Sequence, residues 1–300
     1  MSVSELSDHD PGNPEPDGTA AFYREYRPVS AEVAIALTVS VVIPVKNEAA
    51  NLPHVFATIP PWVDEVVLVD GRSTDRTVEV ARQLRPDLKV ITQSGAGKGD
   101  ALLAGFAVCT GDIIVAMDGD GSTHGAEIIQ FVTTLTAGAD FVKGSRFASG
   151  GGSDDITASR KLGNRALLTL VNRFYRTQYT DLCYGYNAFW SRHLTALAMD
   201  CDGFEVEALM SIRAAKAGLR IHEVASHERP RLHGASNLRS IRDGWRILRV
   251  ILRERTGGVV SLEPGYRPIT EIGLGQTGLG QTGPVGLPAP EADAAPVESL

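Results

Sequence analysis

Between Val39 and Gly144 the chain repeats one unit: a short apolar run rich in β-branched residues, then a segment of helical period, then the next run. Val39–Val45, Glu65–Val69, Lys89–Thr92, Ile113–Met117 and Phe141–Gly144 read as strands, and Ala49–Ile59, Thr74–Leu84, Gly99–Cys109 and Ala126–Ala137 as the helices between them. The stretches Val41-Val42-Ile43 and Val66-Val67-Leu68-Val69 are apolar at every position. Strands of that kind need cover on both faces, which parallel strands receive from the helices that connect them. The expectation is an α/β fold, a doubly wound and mostly parallel sheet, with ligands at the carboxyl ends of its strands.

The second half is less regular. Arg160–Tyr175, Glu205–Ala217 and Ser240–Arg255 read as helices, and Tyr184–Trp190 and Arg220–Val224 as strands. Residues 1–30 and 258–300 are rich in Pro, Gly and acidic residues and read as disordered tails around a folded domain at 31–257. Within that domain, 39–150 is the ligand-binding half and 151–257 a second half that would meet a co-substrate. The chain's net charge of −7 is a property of the ends: eight acids lie in the first eighteen and last seventeen residues, which hold no Lys or Arg, and without them the net charge is +1. A nearly neutral body does not suit a general nucleic-acid surface. Cys109, Cys183 and Cys201 lack metal-ligand spacing and read as thiols in a reducing compartment. No basic segment followed by an apolar run opens the chain, and Val33–Val45 is too short to span a bilayer, so a cytoplasmic location is expected.

Each strand of the first half ends in polar residues. The ends are Pro44-Val45-Lys46-Asn47-Glu48, Asp70-Gly71-Arg72-Ser73, Gly97-Lys98-Gly99, Asp118-Gly119-Asp120 and Gly144-Ser145-Arg146. Five such ends on one sheet edge describe a polar pocket. Asp118 and Asp120 flank a glycine just off a buried strand, which suits Mg2+ or Mn2+, hard cations that take oxygen ligands and share them with substrate phosphates. Asp70 is expected to be free to hydrogen-bond a nucleobase or ribose, since Ser73 or Thr74 can cap the next helix. Gly97-Lys98-Gly99 opens a helix and reads either as a phosphate cradle or as a plain glycine-rich turn.

These stretches together resemble the family 2 glycosyltransferases of GT-A fold, and within them the dolichol- or polyprenyl-phosphate mannosyltransferase-like group, over roughly Val39 to Arg255. The resemblance implies transfer of a sugar from a UDP- or GDP-linked donor to an acceptor, with a polyprenyl phosphate or other phosphate monoester foremost. Pro44, Asn47, Glu48, Asp70, Lys98, Asp118 and Gly119 would bind the donor. Asp118 and Asp120 would hold the metal, with His233 as a further candidate ligand. Arg146, Arg160 and Asn164 would bind the acceptor, and Asp120, Arg146, Arg160 and Glu205 would carry the catalysis. The chain departs from the family at Gly71, where a second aspartate is frequent, and at Arg72, where glycine is usual. A soluble phosphoglycerate-like or sugar acceptor is an alternative, and so is a nucleotide-sugar-binding regulator of weak activity.

The acceptor decides the chemistry. A phosphate monoester needs no general base, whereas a sugar hydroxyl does, and Asp202 or Glu205 would have to serve. Ser240–Arg255 carries Ile241, Trp245, Leu248 and Leu252 on one stripe and Arg242, Arg246, Arg249 and Arg253 on another. Such a helix either packs its apolar stripe on the core or lies on an anionic membrane. Peripheral contact with the inner face of a membrane is therefore kept as an option.

Overall fold

A computed structural model describes residues 37–235 and 238–257. The tails proposed at 1–30 and 258–300 lie outside those residues. One sheet of seven strands organises the molecule: β1 (Val39–Val45), β2 (Glu65–Asp70), β3 (Lys89–Thr92), β4 (Ile113–Ala116), β5 (Phe141–Ser145), β7 (Asn187–Trp190) and β8 (Ile221–Ala225), in the order β3-β2-β1-β4-β7-β5-β8. A short parallel pair, β6 (Gly152–Ser153) and β9 (His227–Glu228), lies apart from it. Every pairing in the large sheet is parallel except the two made by β7, which runs antiparallel between β4 and β5.

The all-apolar runs are explained by two cores. Val41, Ile43 and Val45 of β1 enter one, with Leu68, Val115, Phe131 and Tyr186. Val42, between them, enters the other, with Val67, Ile114, Phe141, Phe189, Leu102 and Met210. The first face is covered by α1 (Leu52–Thr58), α2 (Thr77–Leu84) and α4 (Ile128–Thr136), the second by α3 (Lys98–Phe106) and α7 (Val206–Lys216). Each fully buried Val, Ile or Leu contributes about 1.5–3 kcal/mol relative to exposure, so neither face of β1 tolerates a polar residue cheaply.

Helices begin later than the apolar period suggests where a local cap decides. α2 was expected from Thr74 and starts at Thr77, because the Asp75 carboxylate accepts from the Thr77 amide at 3.0 Å. α1 starts at Leu52, with Pro53 in its first turn, where a missing N–H costs nothing. The three cysteines are free thiols, each pushed up to about 12 by burial first.

In the second half, α5 (Ala158–Tyr175), α7 and α8 (Ser240–Thr256) share a third core built on Val171, Leu182, Ile212, Ile247 and Ile251. A short α6 (Leu194–Leu197) precedes α7. Glu254 anchors the end of α8: Arg213 Nη2 lies 2.8 Å and Lys216 Nζ 2.9 Å from its carboxylate. Burial alone would raise this acid, but hydrogen bonds and charge from Arg213 and Lys216 win and bring it down to about 2. Because the folded value lies below the unfolded one, the stabilisation is complete above pH of about 4.5 and is lost as pH falls towards 2. Glu254→Gln is expected to cost on the order of 2 kcal/mol at neutral pH. Thermal melts of variant and wild type should differ by a constant gap above about pH 5, narrowing below it.

No helix among the described residues is long and apolar enough to cross a membrane.

Candidate active site

The carboxyl ends of β1, β2 and β4 and the segment from Gln93 to Ala101 after β3 open into a cavity of about 770 Å³, whose remaining wall comes from the second half of the chain. This volume suits a ligand of nucleotide-sugar size. Pro44, Val45, Lys46 and Glu48 line it from β1, Gly71 and Arg72 from β2, and Asp118, Gly119 and Asp120 from β4.

At its centre four carboxylates share two cations. Lys98 Nζ lies 2.5 Å from Asp118 Oδ1 and 2.7 Å from Glu207 Oε1. Arg231 reaches Glu48 Oε1 at 2.8 Å and Asp120 Oδ2 at 3.1 Å. Asp120 Oδ1 also accepts from the Ser122 amide at 3.0 Å and its hydroxyl at 2.6 Å, which fixes the carboxylate's plane. Burial would push Lys98 down, but Asp118 and Glu207 outweigh it and hold the ammonium protonated well above its ordinary range. Glu48 moves up, by burial first and by the charge of Asp120 last, against the opposing effects of Asn51 and Arg231. The cluster therefore carries two more carboxylates than cations, an excess that a divalent ion matches. Its donor set fits Mg2+ or Mn2+, which use one or two carboxylates and take the rest of their shell from phosphate and water. Among the described residues no group of three or more His, Cys, Asp or Glu is arranged to hold a metal. The His233 side chain is exposed, its ring 6.3 Å from that of His54, and its carbonyl accepts from Asn51 Nδ2 at 3.1 Å.

Two of the residues expected to bind the donor tie the strand ends together instead of facing the cavity. Asn47, at a left-handed φ of 59°, donates its amide to Ser73 Oγ at 2.9 Å and accepts from the Thr74 amide at 2.7 Å. Asp70 was expected to be free, but its carboxylate accepts from the Ser73 amide at 3.1 Å and shapes the turn after β2. Of the two readings of Gly97-Lys98-Gly99, the turn is the one the geometry favours. The amides of Gly99 and Asp100 donate to the Asp202 carbonyl, at 2.8 and 3.4 Å, so the helix N-terminus already has its acceptor. A Cβ at Gly97 would lie 2.2 Å from the Asp202 carbonyl oxygen and one at Gly99 2.1 Å from that of Cys201. The glycines admit a neighbouring backbone.

In the second half Arg160 lines the cavity, paired with Asp155 at 3.2 Å. Arg239, Arg242 and Arg246 of the region around α8 line it too. Arg146 does not. Its guanidinium is buried, forked onto Asp181 at 2.7 and 3.0 Å, bonded to both oxygens of Glu228 at 3.1 Å, and set against the Tyr184 ring. Asn164 is also buried: its Oδ1 accepts from the amides of Leu182 and Cys183 at 3.3 and 3.1 Å. Both residues thus shape the segment 181–185 that walls the site. Lys143 does the same from β5, donating from Nζ to the Tyr184 carbonyl at 2.9 Å. Glu205 is buried against Arg246 at 2.7 Å, with Oε2 unpartnered, behind the lining residues Gly203, Phe204 and Glu207.

Three contributors were not singled out by sequence reasoning as site residues: Arg231, Glu207 and Gly185. A Cβ at Gly185 would fall 2.4 Å from Lys98 Nζ and 2.9 Å from Asp118 Oδ2, so only glycine lets the segment reach the carboxylates. The Arg229-Pro230-Arg231 triplet was the one available sign of the second cation.

The sequence matches the family described as glycosyl transferase family 2 over residues 40–197. Glycosyltransferase AglJ of Haloferax volcanii is 31% identical over 212 residues, 69% of this chain and 68% of that protein. A dolichol-phosphate mannosyltransferase of Pyrococcus furiosus is 33% identical over 154 residues, 49% of this chain and 43% of that protein. Among solved structures, glucosyl-3-phosphoglycerate synthase from Mycobacterium tuberculosis, in complex with Mn2+, UDP-glucose and phosphoglyceric acid, superposes with a TM-score of 0.61 at 25% identity, over 75% of this chain and 82% of that one.

Proposed function

The chain belongs to glycosyl transferase family 2, and from that premise we propose that it moves a sugar from a UDP- or GDP-sugar to a phosphate-bearing acceptor, using a divalent cation held by Asp118 and Asp120. The observation that supports this most is the polarity of one cavity: paired carboxylates at the β4 end, and Arg160, Arg242 and Arg246 on the wall from α5 and α8. An acidic end that holds a metal and a diphosphate, facing a basic end that holds an anion, suits two phosphate-bearing substrates in one reaction.

Mg2+ or Mn2+ bound at the carboxylates would neutralise the charge that develops on the leaving diphosphate. The chain's own part is orientation. Lys98 fixes Asp118 from one side and Glu207 from the other, and Arg231 fixes Asp120 against Glu48. Pro44, Lys46, Gly71 and Arg72 line the donor end. A phosphate monoester acceptor is already anionic, so Arg160, Arg242 and Arg246 need only place its oxygen, turning a bimolecular step into an effectively unimolecular one. Of the two candidate bases for a hydroxyl acceptor, Glu205 is held by Arg246 behind the wall and the exposed Asp202 does not line the cavity, which favours the phosphate over the hydroxyl. A relative is named for dolichol phosphate, and a structural neighbour was solved with phosphoglyceric acid. The acceptor is accordingly read as a phosphate monoester, on a polyprenyl lipid or on a small soluble molecule. Residues 39–150 would supply the donor half and 151–257 the acceptor half, with Glu207 and Arg231 reaching across.

Titration calorimetry with UDP- and GDP-linked sugars, with and without Mn2+, tests this directly. One donor should bind in a metal-dependent manner, and turnover should follow when polyprenyl phosphate or 3-phosphoglycerate is added. Folded protein that binds no sugar nucleotide in the presence of Mn2+ would overturn the proposal.

A further inference from the structure

The outer face of α8 breaks the usual rule for a helix on a folded domain. Its buried side is Ile247, Val250 and Ile251 with Asp243 and Glu254. The apolar stripe that stood out in the sequence points the other way: Ile241 is 82% exposed, Trp245 60% and Leu252 49%. At 3.6 residues per turn these three fall within about 40° of one another, opposite the packed side. Arg242, Arg249 and Arg253 follow along one flank. Arg242 and Arg249 have no hydrogen-bond or ion-pair partner among the described residues. Both acids of the helix are turned inward, and Arg253 pairs with Asp200 at 2.7 Å, so the outward half has no acid of its own and Arg242 and Arg249 are its unpaired charges among the described residues.

We propose that this face docks on an anionic lipid surface, with Ile241 and Trp245 entering the headgroup boundary and the arginines meeting lipid phosphates. An exposed apolar stripe flanked by arginines has the composition of an interfacial helix, and tryptophan favours that boundary. Charge selects lipid over a second copy of the chain. A two-fold pairing through this face would bring two outward faces without an acid of their own against each other, whereas an anionic leaflet attracts the arginines of each. Arg242 also lines the cavity, so docking sets the acceptor end of the site beside the headgroups. Such docking would hold whatever the donor or acceptor.

The test is co-sedimentation of the full chain with vesicles of phosphatidylcholine alone and of phosphatidylcholine with about one third phosphatidylglycerol. Binding is expected to the anionic vesicles and to weaken at least about tenfold on them at high salt, as screening requires. Arg249→Gln should lower partitioning about fivefold, the effect of one basic residue near such a surface. The double variant Ile241→Glu, Trp245→Glu should abolish it. Both positions are exposed, and an unchanged thermal melt would show that the variant folds. Absence of binding by the wild type, equal binding to both vesicles, or binding that survives the double variant would each overturn the proposal. So would sedimentation of the wild type as a dimer that the double variant splits, because the face would then belong to a second copy.

Discussion

Asp120→Ala is expected to lower metal-dependent turnover by about 10²- to 10³-fold, the usual loss when one preorganised electrostatic stabiliser of a developing charge is removed. The variant should still fold. Asp120 is partly exposed, and Arg231, the cation it leaves behind, keeps Glu48 as a partner at 2.8 Å. No buried charge is stranded, so the change in stability should stay within about 1 kcal/mol. Asp120→Asn sharpens the test. It preserves an oxygen for the Ser122 amide and hydroxyl while removing the charge and the acceptor that faces Arg231, so it should fall nearly as far as alanine in turnover. Initial rates at saturating Mn2+, read beside thermal melts, check both. Full activity in either variant would remove Asp120 from the metal site.

Arg146→Ala should fail in a different way, by destabilising the protein. Its removal leaves Asp181, with no exposed side-chain surface, and Glu228 without their cation. Breaking a buried pair from one side costs about 3–5 kcal/mol. At roughly 2–4 °C per kcal/mol for a domain of this size, the melting temperature should fall by about 6–20 °C. Arg146→Lys should not restore it, because an ammonium cannot fork onto Asp181 and reach Glu228 together. Asp181→Asn should produce a comparable loss, and the double variant should cost less than the sum of the two. If Arg146 instead met the acceptor, the melt would be unchanged and the acceptor KM alone would rise. Differential scanning fluorimetry on the four variants distinguishes the two outcomes.

The strand-end side of the cavity was legible because its signals are local. An apolar run fixes each strand, and the residues that follow it must sit at the sheet edge, so Asp118 and Asp120 could be placed from sequence alone. The partners of those aspartates could not. Arg231 meets Glu48 across 183 positions, and Glu207 meets Lys98 across more than a hundred, with no periodicity to announce either. Other signals were real but misdirected. Gly97 and Gly99 have the pattern of an anion cradle, yet the same pattern serves wherever two backbones touch. Arg146 and Asn164 stand where an acceptor site was expected and are occupied in shaping segment 181–185. The stripe of Ile241, Trp245 and Leu252 was readable as a stripe, but sequence cannot say which side of a helix faces the core when Ile247, Val250 and Ile251 offer a second one.

The antiparallel strand β7 has a consequence for how the chain is made. β4 and β5 touch no common partner until Asn187–Trp190 arrives between them, some forty residues after β5 has been completed. A nascent chain released only as far as Ser145 would therefore hold β4 with one open edge and β5 with neither of its partners, the kind of template that invites pairing with another chain. Closure waits for a contact distant in sequence, which slows folding. Limited proteolysis within residues 154–186 before the sheet has closed should therefore yield an insoluble N-terminal fragment, whereas the same cut made after folding should leave the two pieces associated.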